Sequence, residues 1–354
     1  MAERPLVVTF GEMLVRLSPV NHQRLFESEQ VRAGFGGSEA NVAVALSHLG
    51  MRCQYVTRLP DNLIGEVALK LLRDEGVKLG DVLRGPERMG LYFVEPGADV
   101  GAARVVYDRA GSAFANITSR MVDWSAVLSH ASWFHSTGIT AALGPGPVAT
   151  LEAAISAARE QRVPVSLDLN YRPALWNHVD PLGVIAPIVR DIDLLIGNAH
   201  SVRAMLEVDI NDAALASPTG AQDLAKRLAD EFRCRQVALT RREVCGAREN
   251  RWSATLYDAK SGDVVSTEPC TVAVVDRIGA GDAFAAALIS SLLQKRPLSA
   301  ALEFAVAASA MKVRIPGDFN RVTVDEVDAY MRGTNPPQPA PGQARGPSGE
   351  PPHR

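Results

Sequence analysis

The sequence predicts an α/β fold in which helices cover a mostly parallel sheet. Three observations carry that expectation. Short apolar, β-branched runs alternate with stretches of helical length and period. Glycine-rich turns punctuate the change from one to the other. Polar residues suited to chemistry collect just past the carboxyl ends of the strand-like runs, where open parallel sheets bind ligands.

The strand-like runs are, in order, Leu6–Gly11, Cys53–Thr57, Val163–Asp168, Asp193–Ile196, Gln236–Thr240 and Thr271–Val275. The helix-like runs are Ser38–Leu49, Leu63–Glu75, Pro147–Glu160, Ala221–Glu231, Ala283–Gln294 and Ser299–Lys312. Past the strand-like ends come Asn170, Asn198, Arg241 with Arg242, and Gly279 to Asp282. Two segments, about residues 12–35 and 90–109, lack a helical period and hold alternating pieces such as Leu91-Tyr92-Phe93-Val94 and Arg104-Val105-Val106-Tyr107. They read as extra antiparallel strands, either a lid over the site or ordinary surface hairpins. From Thr334 to Arg354 the chain is rich in Pro, Gly, Gln and Ala and holds no large apolar residue. Such a segment cannot offset its ordering entropy, so residues 1–333 are expected as the folded unit and 334–354 as a disordered tail.

Composition narrows the function classes. The 354 residues are 47% hydrophobic and 22% charged, ordinary for a soluble globular protein. A net charge of −3 gives no electrostatic case for nucleic acid or an anionic membrane. No apolar run approaches the roughly 18 residues of a membrane span. The chain passes from Met1 into a strand-like run without a signal-peptide pattern. Cys53, Cys234, Cys245 and Cys270 form no close pair and read as reduced thiols. A soluble, cytoplasmic protein is the expectation.

The most informative segment is Asp276-Arg277-Ile278-Gly279-Ala280-Gly281-Asp282, between the apolar run Thr271–Val275 and an apolar helix-like segment. It reads as buried strand, tight glycine turn and helix start. Unpaired amides there make an anion site, and glycines permit close approach. Asp282 places a carboxylate beside that anion. It could accept a hydroxyl proton while the amides stabilise a transferring phosphoryl group; alternatively, it merely complements the helix dipole. A second segment, Gly34-Phe35-Gly36-Gly37-Ser38-Glu39-Ala40-Asn41, lacks the third glycine of a dinucleotide fingerprint, and no P-loop Gly-Lys-Ser/Thr exists in the chain. Adjacent glycines before a helix with Asn41 one turn in suit a polyol; the alternative is a helix capped by Ser38.

Gly36-Gly37-Ser38 with Asn41, Ala43, Leu46 and Leu49-Gly50, followed about 240 residues later by Asp276 and Gly279-Ala280-Gly281-Asp282, resembles the two signatures of the ribokinase-like (PfkB) carbohydrate kinases. The resemblance covers roughly residues 5–332. It implies a three-layer α/β/α sandwich with a small β-sheet lid. Thr9-Phe10-Gly11-Glu12, Val106-Tyr107-Asp108-Arg109, Phe134-His135-Ser136-Thr137-Gly138-Ile139, Asp168-Leu169-Asn170-Tyr171-Arg172 and Pro316-Gly317-Asp318-Phe319 are similar to the branch acting on 2-keto-3-deoxygluconate. Arg109 and Arg172 suit such a substrate, since guanidinium groups bind carboxylates bidentately.

The resemblance implies ATP as phosphoryl donor, Mg²⁺ as cofactor with a monovalent cation left open, and the following roles. Asp282 is the base, and Gly279, Ala280 and Gly281 form the anion hole. Gly36, Gly37, Asn41, Tyr92, Tyr107, Arg109, Asn170 and Arg172 bind the sugar acid. Asn170, Asn198, Thr240, Arg242, Gly279 and Gly281 border the nucleotide. No metal ligand is identified. One departure stands out: Asn198-Ala199-His200-Ser201 has Ser201 where the family usually carries an acid near the phosphates and magnesium. That leaves open an altered metal requirement or a reduced phosphoryl-transfer rate, and it is the one hint toward a non-catalytic sugar or nucleotide sensor; the nearer rival is a kinase of the same fold for fructose or another ketose. A homodimer through the lid strands is expected, because unpaired strand edges are a liability. His135, in an apolar run, reads as a core histidine.

Overall fold

Residues 4–20, 24, 25, 27, 29–95, 104–177, 179–211, 217–246 and 249–334 are described by a computed structural model. The expected tail therefore lies outside the described residues beyond Thr334, as do parts of both lid segments (21–23, 26, 28 and 96–103).

The main sheet has the order Val264–Ser266, Glu249–Asp258, Gln236–Gly246, Leu194–Gly197, Val165–Asp168, Trp133–Thr137, Leu6–Phe10 and Arg52–Val56. The six strands from Gln236–Gly246 to Arg52–Val56 are mutually parallel. Alternate residues feed two cores, one on each face: Val8 and Phe10 with Leu195 on one side, Val7 with Leu194 and Ile196 on the other. Helices Pro145–Glu160, Pro181–Val189 and Pro218–Phe232 cover the first face, and Ser38–His48, Ala280–Leu293 and Leu298–Lys312 the second. This is the expected three-layer α/β/α sandwich.

Several boundaries differ from expectation, each for a physical reason. Thr271–Val275 is not a buried strand of the parallel sheet. The strand there is Cys270–Ala273, antiparallel to Glu249–Asp258, and Val275 is 64% exposed. Its β-branched run matches strand propensity, which does not distinguish an edge from a core. Arg241 and Arg242 do not follow a strand but lie within Gln236–Gly246, which runs on to pair antiparallel with Glu249–Asp258. Trp133–Thr137 is a fully buried central strand that carries His135.

The lid is a separate four-stranded sheet, ordered Val31–Gly36, Leu14–Pro19, Gly90–Glu95, Arg104–Asp108. Its outer pairs are antiparallel as expected, but its central pair is parallel, because the main-sheet connection intervenes between its halves. Register sets Arg16 beside Tyr92, and Tyr92 beside Tyr107. Leu14, Arg16 and Ser18 are the buried positions alternating along their strand, so a charged side chain points inward on the apolar face.

Candidate active site

Gly279 caps the helix Ala280–Leu293 with φ of +81°, a left-handed conformation that costs glycine nothing. The first intrahelical bond runs from the Ala283 amide to the Gly279 carbonyl at 2.9 Å, so the amides of Ala280, Gly281 and Asp282 precede it. Asp282 is buried in this first turn. Ser38 donates to its Oδ1 at 2.5 Å and Asn41 Nδ2 to its Oδ2 at 2.7 Å. Burial pushes the Asp282 carboxyl up, and the Ser38 and Asn41 bonds hold it down.

These contacts revise two expectations. Gly37, not Ser38, caps the helix Ser38–His48; the Ser38 hydroxyl is turned to Asp282 instead of a backbone amide. Asn41 holds the aspartate as well as facing the cavity. Asn170, with φ of +39°, donates to the Ser38 hydroxyl at 2.8 Å and completes a chain Asn170–Ser38–Asp282.

Two cavities meet at this turn. The first, about 550 Å³, is lined by Gly37, Asn41, Tyr92, Tyr107, Arg109, Asn170, Arg172, Arg242 and Gly279 to Asp282, with Ser38, Arg277 and Asp318 among the others. The second, about 530 Å³, is lined by Asn170, Arg172, Asn198, Thr240, Arg242, Ala280 and Gly281 as well as Asp168, Ser201 and Arg277. All the sequence-derived site residues thus gather at the cavities except Gly36. Gly36 lines neither; it lies behind, where an added Cβ would sit 2.0 Å from Asp318 Oδ2. Its lack of a side chain makes room for Asp318.

The two arginines differ in circumstance. Arg109 is buried and donates through Nε to Glu12 at 2.6 Å, with its guanidinium 5.7 Å from the Tyr107 ring centroid. Arg172 is exposed, and among the described residues its one hydrogen bond goes to its neighbour's carbonyl, Tyr171 O, at 3.2 Å. Partial desolvation, then Arg277 and Arg172, lower the proton affinity of Arg242. This is an arginine cluster poised for anions.

The sequence reading missed the network that joins the lid to this turn. Arg16 Nη1 donates to Asp318 and Nη2 to Asp276, both at 2.8 Å. Tyr92 donates its hydroxyl to Asp318. Asp276 also accepts from the Ile278 amide at 3.1 Å and the Gly317 amide at 3.0 Å. An arginine in phase with Leu14 on a lid strand was the available signal. Asp168 was also missed as a site group. Burial, then neighbouring Asp282, push it up to about 7. Ser201 is fully buried and committed to a capping box: its hydroxyl accepts from the Asn198 amide at 2.9 Å while Asn198 Oδ1 accepts from the Ser201 amide at 3.0 Å. His135 is buried, its Nδ1 2.8 Å from Ser166 Oγ, and burial lowers it to about 3. It is a neutral core group.

Residues 4–322 match the pfkB family of carbohydrate kinases. The 2-dehydro-3-deoxygalactonokinase of Haloferax volcanii is 35% identical over 329 residues, covering 92% of this chain and 96% of its own. The 2-dehydro-3-deoxygluconokinase of Thermoproteus tenax is 30% identical over 318 residues, covering 88% and 89%. The crystal structure of a 2-dehydro-3-deoxygluconokinase from Thermotoga maritima shares 37% identity with a TM-score of 0.89, covering 93% of this chain and all of that one. With the sandwich, its lid and the glycine turn already in place, these likenesses leave one assignment: the chain belongs to the pfkB family of carbohydrate kinases.

Proposed function

We propose that this enzyme transfers the γ-phosphoryl group of ATP to the primary hydroxyl of 2-keto-3-deoxygluconate, giving 2-keto-3-deoxy-6-phosphogluconate. One observation carries the reading. Asp282 lines the first cavity directly after Ala280 and Gly281, which line both, and its two oxygens are held by neutral donors, with Arg172, Arg242 and Arg277 among the residues lining both cavities. Each carboxylate oxygen keeps acceptor capacity for a substrate hydroxyl. Asp282 takes the hydroxyl proton as the oxygen bonds to the γ-phosphorus; the bond from that phosphorus to the β-phosphate oxygen breaks, and ADP leaves. The amides at Ala280 and Gly281 face the charge that builds on the transferring group. Arg172 and Arg109 receive the carboxylate and keto end, with Tyr92 and Tyr107 beside it from the lid and Gly37 and Asn41 beneath. Gly36 acts one step back, by seating Asp318.

Asn170, Asn198, Thr240 and Arg242 border the nucleotide in the second cavity. Among the described residues no three His, Cys, Asp or Glu side chains converge on a metal-sized site. Mg²⁺ commonly keeps waters and substrate phosphates as ligands, so this site fits an ion carried in on the nucleotide, where it neutralises phosphate charge. The kinase unit runs to residue 333, with 334–354 outside it. The lid also offers a homodimer contact: Val31 and Val106, on its two outer strands, are 47% and 57% exposed. A monomeric mass by light scattering would exclude that pairing.

The test is coupled ADP release with ATP and Mg²⁺ across 2-keto-3-deoxygluconate, 2-keto-3-deoxygalactonate, fructose and ribose, with Asp282→Asn alongside. The expected result is fast turnover on the gluconate derivative, lowered about 10²- to 10⁴-fold in the variant, the usual contribution of a general base. Preference for the galactonate derivative would keep the mechanism and move the stereochemistry. Turnover on fructose or ribose alone would remove the arginine argument, and nucleotide binding without turnover would make the chain a sensor.

A further inference from the structure

Lys312 is fully buried at the end of the helix Leu298–Lys312 and has no place in the chemistry above. Buried lysines are normally paired with carboxylates. Lys312 makes no such pair among the described residues. Its Nζ donates to two main-chain carbonyls, Gly317 O at 2.8 Å and Ile315 O at 3.1 Å. The same short loop presents Asp318, and its Gly317 amide bonds Asp276, so Arg16, Asp276 and Lys312 fasten one loop from three sides.

The position matters because of what lies above it. A Cβ added at Gly279 would be 3.2 Å from Lys312 Cε and 2.2 Å from the Asp318 carbonyl. The lysine stem and the loop therefore support the anion-hole turn from behind. Ser309, one helical turn before Lys312, bonds the Ala280 carbonyl at 2.9 Å and fixes the other side of that turn. Burial lowers the Lys312 ammonium's proton affinity, while Asp276 and Asp318 raise it.

Convergent carbonyls beside a carboxylate are what a small monovalent cation takes as ligands. Such an ion does not fit here, because a covalently attached ammonium already occupies those carbonyls. We propose that Lys312 is a built-in cation that positions the anion hole and replaces a dissociable monovalent ion, so that phosphoryl transfer is independent of K⁺. The proposal rests on the kinase reading, but its consequence for ion binding does not. Lys312 touches no substrate; it acts through the turn.

The experiment compares wild type with Lys312→Met at constant ionic strength, exchanging KCl for tetramethylammonium chloride. Melting temperature is read without substrate, and kcat and KM with it. Wild type is expected to keep its melting temperature and its rate, within twofold, in both salts. Lys312→Met is expected to lose on the order of 10- to 100-fold in kcat in tetramethylammonium with KM little changed, less than the roughly 10²- to 10³-fold cost of losing a donor outright, because the amides remain but are held less firmly. K⁺ or NH₄⁺ should restore its rate saturably and raise its melting temperature over the same concentration range. A wild type activated tenfold or more by K⁺ would overturn the proposal, as would a variant whose rate and melting temperature ignore cations. If the variant unfolds in tetramethylammonium, recovery of fold in K⁺ supports the inference, and failure in both salts overturns it. Should no sugar be turned over, the melting data decide alone, and the substrate reading fails separately.

Discussion

Replacing Ser38 by alanine tests how the base is kept ionised. Asp282 is buried, which favours its protonated form, and the Ser38 hydroxyl at 2.5 Å opposes that most strongly. A hydrogen bond to a charged group is worth about 1.5–3 kcal/mol. Losing it raises the Asp282 pKa further, and at 1.36 kcal/mol per pH unit that energy corresponds to a displacement of the titration by about 1–2 on the pH axis. The base must be deprotonated to work, so the acid limb of kcat/KM against pH should move upward by that amount, with the plateau recovering at higher pH. Asn41→Ala, which removes the 2.7 Å bond to the other oxygen, should move the limb the same way. The assay is the coupled ADP reaction from pH 5 to 9. Nearby Asp168, raised to about 7, is the competing owner of any limb in this range. A limb unmoved in both variants but shifted by Asp168→Asn would refute the assignment of Asp282 as the titrating base.

Arg172→Ala should raise KM about 10- to 150-fold for a carboxylated sugar and leave that for a neutral one unaltered, the range expected for one charge-assisted contact; equal effects on both would remove its carboxylate role. It is a cleaner probe than Arg109→Ala, which also strands the buried Glu12 carboxylate. Arg16→Met removes the counter-charge of Asp276 and Asp318 and should cost about 3–5 kcal/mol in urea unfolding; a loss under 1 kcal/mol would show that the network contributes little. Ser201→Ala should cost about 1 kcal/mol through its cap while kcat stays within twofold; a collapse of kcat would give Ser201 a part in phosphate or metal handling. Asp168 binds its proton more tightly folded than unfolded, since its pKa rises from 3.8 to about 7. Its contribution is therefore lost as pH climbs from about 4 to 7, and Asp168→Asn should gain stability relative to wild type over that window, by at most about 4 kcal/mol. An unchanged difference between pH 5 and pH 8 would contradict it.

The segments legible in the sequence were those whose cause is local. The helices Ser38–His48 and Ala280–Leu293 announce themselves by glycines before an apolar run, and Asp282 follows its turn directly. The strand Trp133–Thr137 did not stand out, because His135, Ser136 and Thr137 break the apolar run. Those residues are buried with partners on other strands and a helix: Ser166 for His135 Nδ1, the Phe10 carbonyl for Ser136 and Glu39 for Thr137. Glu39 in turn is pushed up to about 6 by burial, so it is a poor signal for a surface helix. Arg16 finds its carboxylates 260 and 302 positions away, a pairing no periodicity reveals. Lys312 was hidden in the same way: at the end of an apolar helix it reads as a charge complementing the dipole.

The two carboxylates flanking the glycine turn are held differently, and the difference fits their tasks. Asp318 is gripped by a guanidinium at 2.8 Å and a tyrosine hydroxyl, contacts that tie the lid to the core and oppose the upward push that burial gives its carboxyl. Among the described residues Asp282 receives neutral hydrogen-bond donors, with the more distant charges of Arg172 and Asp318 opposing each other. Burial and neutral donors work against each other there, and burial prevails, so the carboxyl is held above its ordinary value, as the proposed base requires. An arginine in place of Asn41 would fix the charge and weaken the base. The lid arginine thus belongs with Asp318, and keeping it there protects the basicity of Asp282.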